Sequence, residues 1–166
     1  AKRIYVAHQI NYLSYTDDFG ESWTRIEGTG LTDLFYNPHN PNRLVGYSFS
    51  KPTTSAEAYV STDGGLSWIY ARDETQQHTD MYRIAFHPTD SNRLALCGNG
   101  SYALSFDSGE SWQGVYRQVG ICEYSVAYLF DAIYDTRNPD VLYGASQYSD
   151  FFREDKEEQM VFSTKD

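Results

Sequence analysis

Ser61-Thr62-Asp63-Gly64-Gly65-Leu66-Ser67-Trp68 is one of three copies of a phrase reading Ser/Thr-x-Asp-x-Gly-x-Ser-Trp. The others are Thr16-Asp17-Asp18-Phe19-Gly20-Glu21-Ser22-Trp23 and Ser105-Phe106-Asp107-Ser108-Gly109-Glu110-Ser111-Trp112. The tryptophans stand 45 and 44 residues apart, and Thr164-Lys165-Asp166 opens a fourth copy. A constant period of this size marks an array of like supersecondary units. The residue types predict a tight hairpin turn. Asp18, Asp63 and Asp107 accept backbone N–H bonds, Gly20, Gly65 and Gly109 supply positive φ, and Trp23, Trp68 and Trp112 each bury an apolar face. Asp166 holds the aspartate position of the fourth copy. These residues are read as structural punctuation. A calcium site is rejected, because one phrase has too few oxygen ligands to surround that ion.

A second phrase alternates with the first. Tyr36-Asn37-Pro38-His39-Asn40-Pro41-Asn42-Arg43-Leu44 aligns without gaps to Phe86-His87-Pro88-Thr89-Asp90-Ser91-Asn92-Arg93-Leu94 and to Tyr134-Asp135-Thr136-Arg137-Asn138-Pro139-Asp140-Val141-Leu142. Each copy reads as strand, Pro/Asn/Asp turn and strand. With a third strand entering each Trp phrase and a fourth leaving it, one repeat is a four-stranded antiparallel β-propeller blade. The expected fold is all-β, with about three and a half blades of the roughly four to eight that close a ring. The boundaries read as a blade remnant at 1–30, blades at 31–80 and 81–128, and a partial blade at 129–166. Further blades from the same parent chain or from other chains are expected to complete the ring.

Composition agrees. The 166 residues include 15 Tyr, 9 Phe and 3 Trp, types that suit half-buried pleated surfaces. A net charge of −10 excludes nucleic acid as a partner. The longest apolar stretch, Val126 to Phe130, is far too short for a membrane-spanning helix. Cys97 and Cys122 set no disulfide framework and read equally as buried thiols. His8, His39, His78 and His87 lack metal-ligand spacing, so neither a metal nor another cofactor is expected. Asn99-Gly100-Ser101 matches a glycosylation acceptor.

The three boxes, with the alternating Asn-Pro-x-x-Leu phrase, resemble the Asp-box (BNR) β-propellers. That group includes sialidases, xyloglucanases and sortilin-like receptors. The resemblance covers nearly the whole chain. Arg25-Ile26 is followed by Glu27 and Arg83-Ile84 by Ala85, so the Arg-Ile-Pro tripeptide of classical sialidases is absent from both places. The resemblance implies that boxes lie between third and fourth strands, away from the functional face. It also implies an extracellular or secreted setting. The functional face would then carry the loops joining strands two to three and those joining successive blades.

Candidate ligand contacts follow from loop length. From the second-strand Leu to the box the distances are 17, 11 and 22 residues, which places long loops at Ser48–Ala56 and Ser146–Gln159. The interblade segments Tyr70–Met81 and Gln118–Tyr128 carry extra residues too. Binding residues concentrate in such loops, here His78, Asp80, Glu123, Tyr124, Tyr148, Asp150, Phe151, Phe152 and Arg153. A second set comes from register. Asp33, Arg83 and Asp131 hold the same position before the innermost strands of successive blades, which suggests a catalytic carboxylate pair, Asp33 and Asp131, beside a substrate-binding Arg83. The expected function is action on glycans, as a xyloglucanase-like or sialidase-like glycoside hydrolase with carbohydrate as partner. The alternatives are a non-catalytic propeller that binds protein or peptide, as sortilin-like receptors do, and a lectin.

Overall fold

The computed structural model describes residues 3–8, 12–49, 56–73, 81–98, 101–115, 129–146, 150–154 and 159–163. All of its elements are strands, arranged in four sheets. The first contains β1 (Ile4–His8), β2 (Tyr12–Thr16) and β3 (Thr24–Glu27). In the second, β4 (Asp33–Tyr36), β5 (Leu44–Phe49), β6 (Ala56–Ser61) and β7 (Ile69–Tyr70) lie side by side in chain order. The third has the same order in β9 (Met81–Phe86), β10 (Leu94–Gly98), β11 (Ser101–Ser105) and β12 (Ser111–Val115). β8 (Arg72–Asp73) adds to its far edge, parallel to β12. The fourth contains β13 (Leu129–Tyr134), β14 (Leu142–Ser146), β15 (Asp150–Glu154) and β16 (Gln159–Ser163). These antiparallel meanders are propeller blades, so the all-β propeller expectation holds.

The cores lie between blades. Val45, Tyr47, Ala58 and Val60 of the second blade pack against Ile84, Leu94, Leu96, Ala103 and Trp112 of the third. Ala85, Ala95 and Cys97 then face Ala132, Tyr134 and Leu142 of the fourth. β10 is buried at every residue because it sends Leu94 and Leu96 to one seam and Ala95 and Cys97 to the other. Each buried Leu or Val contributes about 1.5–3 kcal/mol, against about 1 kcal/mol net for a hydrogen bond. Apolar seams therefore dominate blade stacking.

The boxes connect β2 to β3, β6 to β7 and β11 to β12, with one hydrogen-bond pattern throughout. Thr16 Oγ1 donates to Asp18 Oδ1 at 2.6 Å and accepts the Gly20 amide at 2.9 Å. Asp18 in turn accepts the Ser22 amide and hydroxyl at 2.9 and 2.5 Å. Ser61, Asp63 and Ser67 repeat this, as do Ser105, Asp107 and Ser111. The glycines take φ of 98°, 83° and 93°. Phe19 and Ser108 before two of them are also left-handed, so both central positions of the turn carry positive φ, as in a type I′ hairpin.

The Ser67 hydroxyl, with its amide, holds the Asp63 carboxyl down at about 2 against an ordinary 3.8. A carboxylate depressed on folding stabilises above its unfolded value, and that stabilisation fades as pH falls through the folded one. The stability gap between the wild type and Asp63→Asn, measured by urea unfolding, is therefore expected to shrink as pH drops from 3.8 towards about 2 and to stay flat above about pH 5.

Two expectations are corrected. The tryptophans are not equally buried: Trp112 is 1% exposed, but Trp23 is 48% exposed. Trp112 lies in the seam with the second blade, whereas Trp23 belongs to neither of the two buried clusters. The Ser146–Gln159 segment is not a plain loop either. β15 lies within it and pairs antiparallel with β14 through Tyr143↔Arg153 and Ala145↔Phe151. Aromatic residues at Phe151 and Phe152 favour the pleated surface. β16, which leads into Thr164, consequently stands fourth in its sheet rather than third. Asp166 lies outside the described residues.

Candidate functional site

The Asn/Pro turns of the second and third blades lie at the box end, since the Gly64 amide donates to Asn42 O at 2.8 Å and the Ser108 amide to Asn92 O at 2.9 Å. β4 and β9 run into those turns, so their first residues mark the opposite end. Asp33 is the first residue of β4, and Arg83 and Asp131 are third in β9 and β13; each stands three positions before the aromatic residue that ends its strand. Their partners on the second strands, Tyr47, Cys97 and Ala145, are equivalent as well. The common register is therefore real. The three residues nevertheless belong to the strands rather than preceding them.

Arg83 makes the cross-blade contacts. Its guanidinium carbon stands 6.0 Å from the Phe35 ring centroid in the second blade. On the other side its Nε lies 3.4 Å from Asp131 Oδ1 in the fourth, with the two side chains 56% and 64% exposed. Asp33 Oδ1 accepts its neighbour's amide, Leu34 N, at 2.8 Å, and Asp131 Oδ1 accepts Ala132 N at 2.9 Å. An ion pair this exposed contributes less than about 1 kcal/mol, so a ligand can compete for either partner. The neighbouring Cys97 thiol is free and buried. Burial first, and the Asp131 charge second, push it up to about 12. It stays a thiol at neutral pH and offers no thiolate nucleophile.

The row thus brings an aromatic ring, a guanidinium and an exposed carboxylate together across three blades. Phe35 is the member that the sequence reading missed; its signal was its place in the same strand as Asp33, two residues on. Arg43 and Arg93, quoted in the turn phrase but given no role, are cross-blade ties. Arg43 donates to Ser108 O and Asp107 O at 3.0 and 3.1 Å and pairs with Glu110 at 2.8 Å. Arg93 pairs with Asp140 at 2.7 Å.

His78, Asp80, Glu123, Tyr124 and Tyr148 lie outside the described residues. Asp150, Phe151, Phe152 and Arg153 are on strand β15, with only their backbone described. Among the described residues, no three His, Cys, Asp or Glu side chains come together to hold a metal ion. No helix among the described residues is long and apolar enough to cross a membrane.

Sheets of this topology, with these boxes between their third and fourth strands in the second and third blades, define a BNR/Asp-box-like β-propeller. Residues 2–166 match the Sortilin-Vps10 family, described as sortilin, neurotensin receptor 3. The chain belongs to that family. It is 32% identical over 97 residues to vacuolar protein sorting/targeting protein 10 of Uncinocarpus reesii (strain UAMH 1704), a match covering 55% of this chain and 6% of that protein. Among solved structures, an ancestral GH74 enzyme superposes with a TM-score of 0.70 at 19% identity, over 92% of this chain and 21% of its own. YCF48 bound to D1 peptide gives 0.60 at 16%, over 92% and 46%. The Niastella koreensis GH74 enzyme gives 0.62 at 16%, over 91% and 25%. At these identities the structural likeness concerns the fold alone. The chain spans a small part of the curated relative and less than half of each of these structures.

Proposed function

We propose that this chain is part of a non-catalytic receptor propeller that binds a peptide or protein in a secretory, lumenal or cell-surface setting, with the row at Asp33, Phe35, Arg83 and Asp131 contributing to the binding rim. The observation that carries the reading is Arg83, held between the Phe35 ring and the Asp131 carboxylate with more than half of its side chain exposed. Membership in the Sortilin-Vps10 family supports it. The fold neighbour YCF48, solved with a D1 peptide, is an instance of such a scaffold presenting a peptide site. Glycoside hydrolysis asks for one carboxyl kept protonated by burial away from cations. Asp131 is exposed and faces a guanidinium, which suits recognition better than acid catalysis.

Charge reversal at the rim tests the reading. In the full-length protein, Arg83→Glu is expected to weaken capture of bound peptides about tenfold, a loss of about 1.4 kcal/mol, while leaving thermal unfolding unchanged. Unaltered affinity across the captured set would remove the rim from the site. The GH74 fold neighbours keep a second reading in view, hydrolysis or lectin-type binding of glycans through Asp33 and Asp131. Assays on plant, host and microbial glycans decide it. Turnover lost in Asp33→Asn or Asp131→Asn with binding retained would establish the enzyme, and binding without product would establish the lectin. His78, Asp80, Glu123, Tyr124, Tyr148, Phe151 and Arg153 remain proposed ligand contacts under either reading.

A further inference from the structure

The turn between β9 and β10 uses a different chemical group from its two counterparts. In the second blade, Asn37 Oδ1 caps the turn by accepting the His39 amide at 2.9 Å. In the fourth, Asp135 Oδ1 accepts the Arg137 and Asn138 amides at 2.8 and 3.4 Å. The third blade places His87 at this position, and its Nδ1 accepts the Asp90 and Thr89 amides at 3.0 and 3.3 Å. A ring nitrogen that accepts from amides carries no proton. The two amides at Nδ1, with the Pro139 carbonyl as acceptor for the ring, therefore favour the neutral Nε2–H tautomer, against the Arg93 guanidinium near Nε2.

His87 also lies where three blades meet. It is 3% exposed, and its ring meets Tyr134 of the fourth blade edge-on at 5.0 Å. One terminal nitrogen of Arg93 stands 3.2 Å from Nε2 and 2.7 Å from Asp140 of the fourth blade. On the other side, His39 Nε2 of the second blade lies 2.9 Å from the His87 carbonyl.

We propose that His87 is a proton-operated latch on the seam between the third and fourth blades: a proton on Nδ1 removes the acceptor that holds residues 87–90 and sets a second cation against Arg93, freeing the turn from Tyr134 and Asp140. The groups facing the ring are Asp90 and Arg93 from its own turn, and Tyr134, Asp140 and the Pro139 carbonyl from the fourth blade, while His39 of the second blade meets the backbone carbonyl of His87. Asp90 and Asp140 attract the proton. Burial and then Arg93 oppose it, and together they hold His87 below the ordinary 6.5. A histidine held down in the closed seam binds its proton more weakly there than in the open one. The closed seam therefore loses stability as pH falls below 6.5. Asn37 does not titrate in this range, and Asp135, held low by the Arg137 amide, stays ionised. Only the third turn has an acceptor that acid removes between about pH 5 and 7. The latch acts whatever the rim binds.

Hydrogen exchange on the full-length protein, corrected for intrinsic rates, tests this at about pH 7 and pH 5.5. In the wild type, amides of 87–93 and 134–142 are expected to lose protection at the lower pH, while amides of the other turns keep theirs. His87→Asn carries the acceptor that the second blade uses and should hold its protection at both pH values. Unchanged protection in the wild type, or a parallel loss in His87→Asn, overturns the latch. Ring-nitrogen NMR of the wild type gives an answer independent of that variant. A proton on Nε2 at neutral pH and a midpoint below 6.5 are expected. A proton on Nδ1, or a midpoint at or above that value, overturns the proposal.

Discussion

Trp112→Ala is expected to destabilise the protein by about 4 kcal/mol, the range for deleting a large aromatic from a packed core. The indole is 1% exposed and fills the seam between the second and third blades, in one cluster with Val45, Val60, Ile84 and Leu96. A rigid pair of β-meanders closes poorly over such a gap, so most of the cavity term persists. Trp23→Ala is the internal control: with that indole 48% exposed, the loss should stay below about 1 kcal/mol. Trp112→Phe should fall well short of the alanine variant, because it keeps a ring and removes a buried Nε1 that has no hydrogen-bond partner among the described residues. Urea unfolding of the three variants checks the order. Equal losses at Trp112 and Trp23 would mean that the repeated phrase, rather than the seam, sets the cost.

Asp107→Ala is expected to cost about 3 kcal/mol, because hydrogen bonds to a charged group are worth about 1.5–3 kcal/mol each and orphaned donors add a penalty. Its carboxylate accepts the Ser105 hydroxyl at 2.8 Å and the Ser111 amide and hydroxyl at 2.9 and 2.5 Å. The turn it closes is buried against the neighbouring blade. A Cβ on Gly109 would meet Val45 Cγ2 at 2.9 Å, and Ser105 is itself buried. Water cannot readily replace the lost acceptor. Asp107→Asn keeps one oxygen and should lose about half as much. Thermal unfolding with calorimetry measures both, and a loss below about 1 kcal/mol in the alanine variant would show that the turn closes without its aspartate.

The repeat, the blade and the box were legible in the sequence because their interactions are local. Ser61 reaches Asp63 and Gly65, and Asp63 reaches Ser67, so the phrase carries both its donors and its acceptors. The equivalence of Asp33, Arg83 and Asp131 was legible too, since strand register is preserved by counting back from the same aromatic. Loop counting failed at 146–159, where Phe151 and Phe152 flanked by charges fit a strand as well as a loop. Only pairing with β14 decides between them.

The cross-blade relations had no local sign. Arg43 meets Glu110 across 67 residues, Arg3 meets the Gly64 carbonyl across 61, and Arg93 meets Asp140 across 47. His87 looked like one histidine among four until the turn and its neighbours enclosed it. By itself the sequence determined the four-stranded unit, its turns and its register, because a hydrogen-bonded turn spans only a few residues. The tertiary structure alone decided which equivalent residues are buried, which meet a partner and which face water. Those properties arise where two blades pack together, and they depend on residues that lie a full repeat apart.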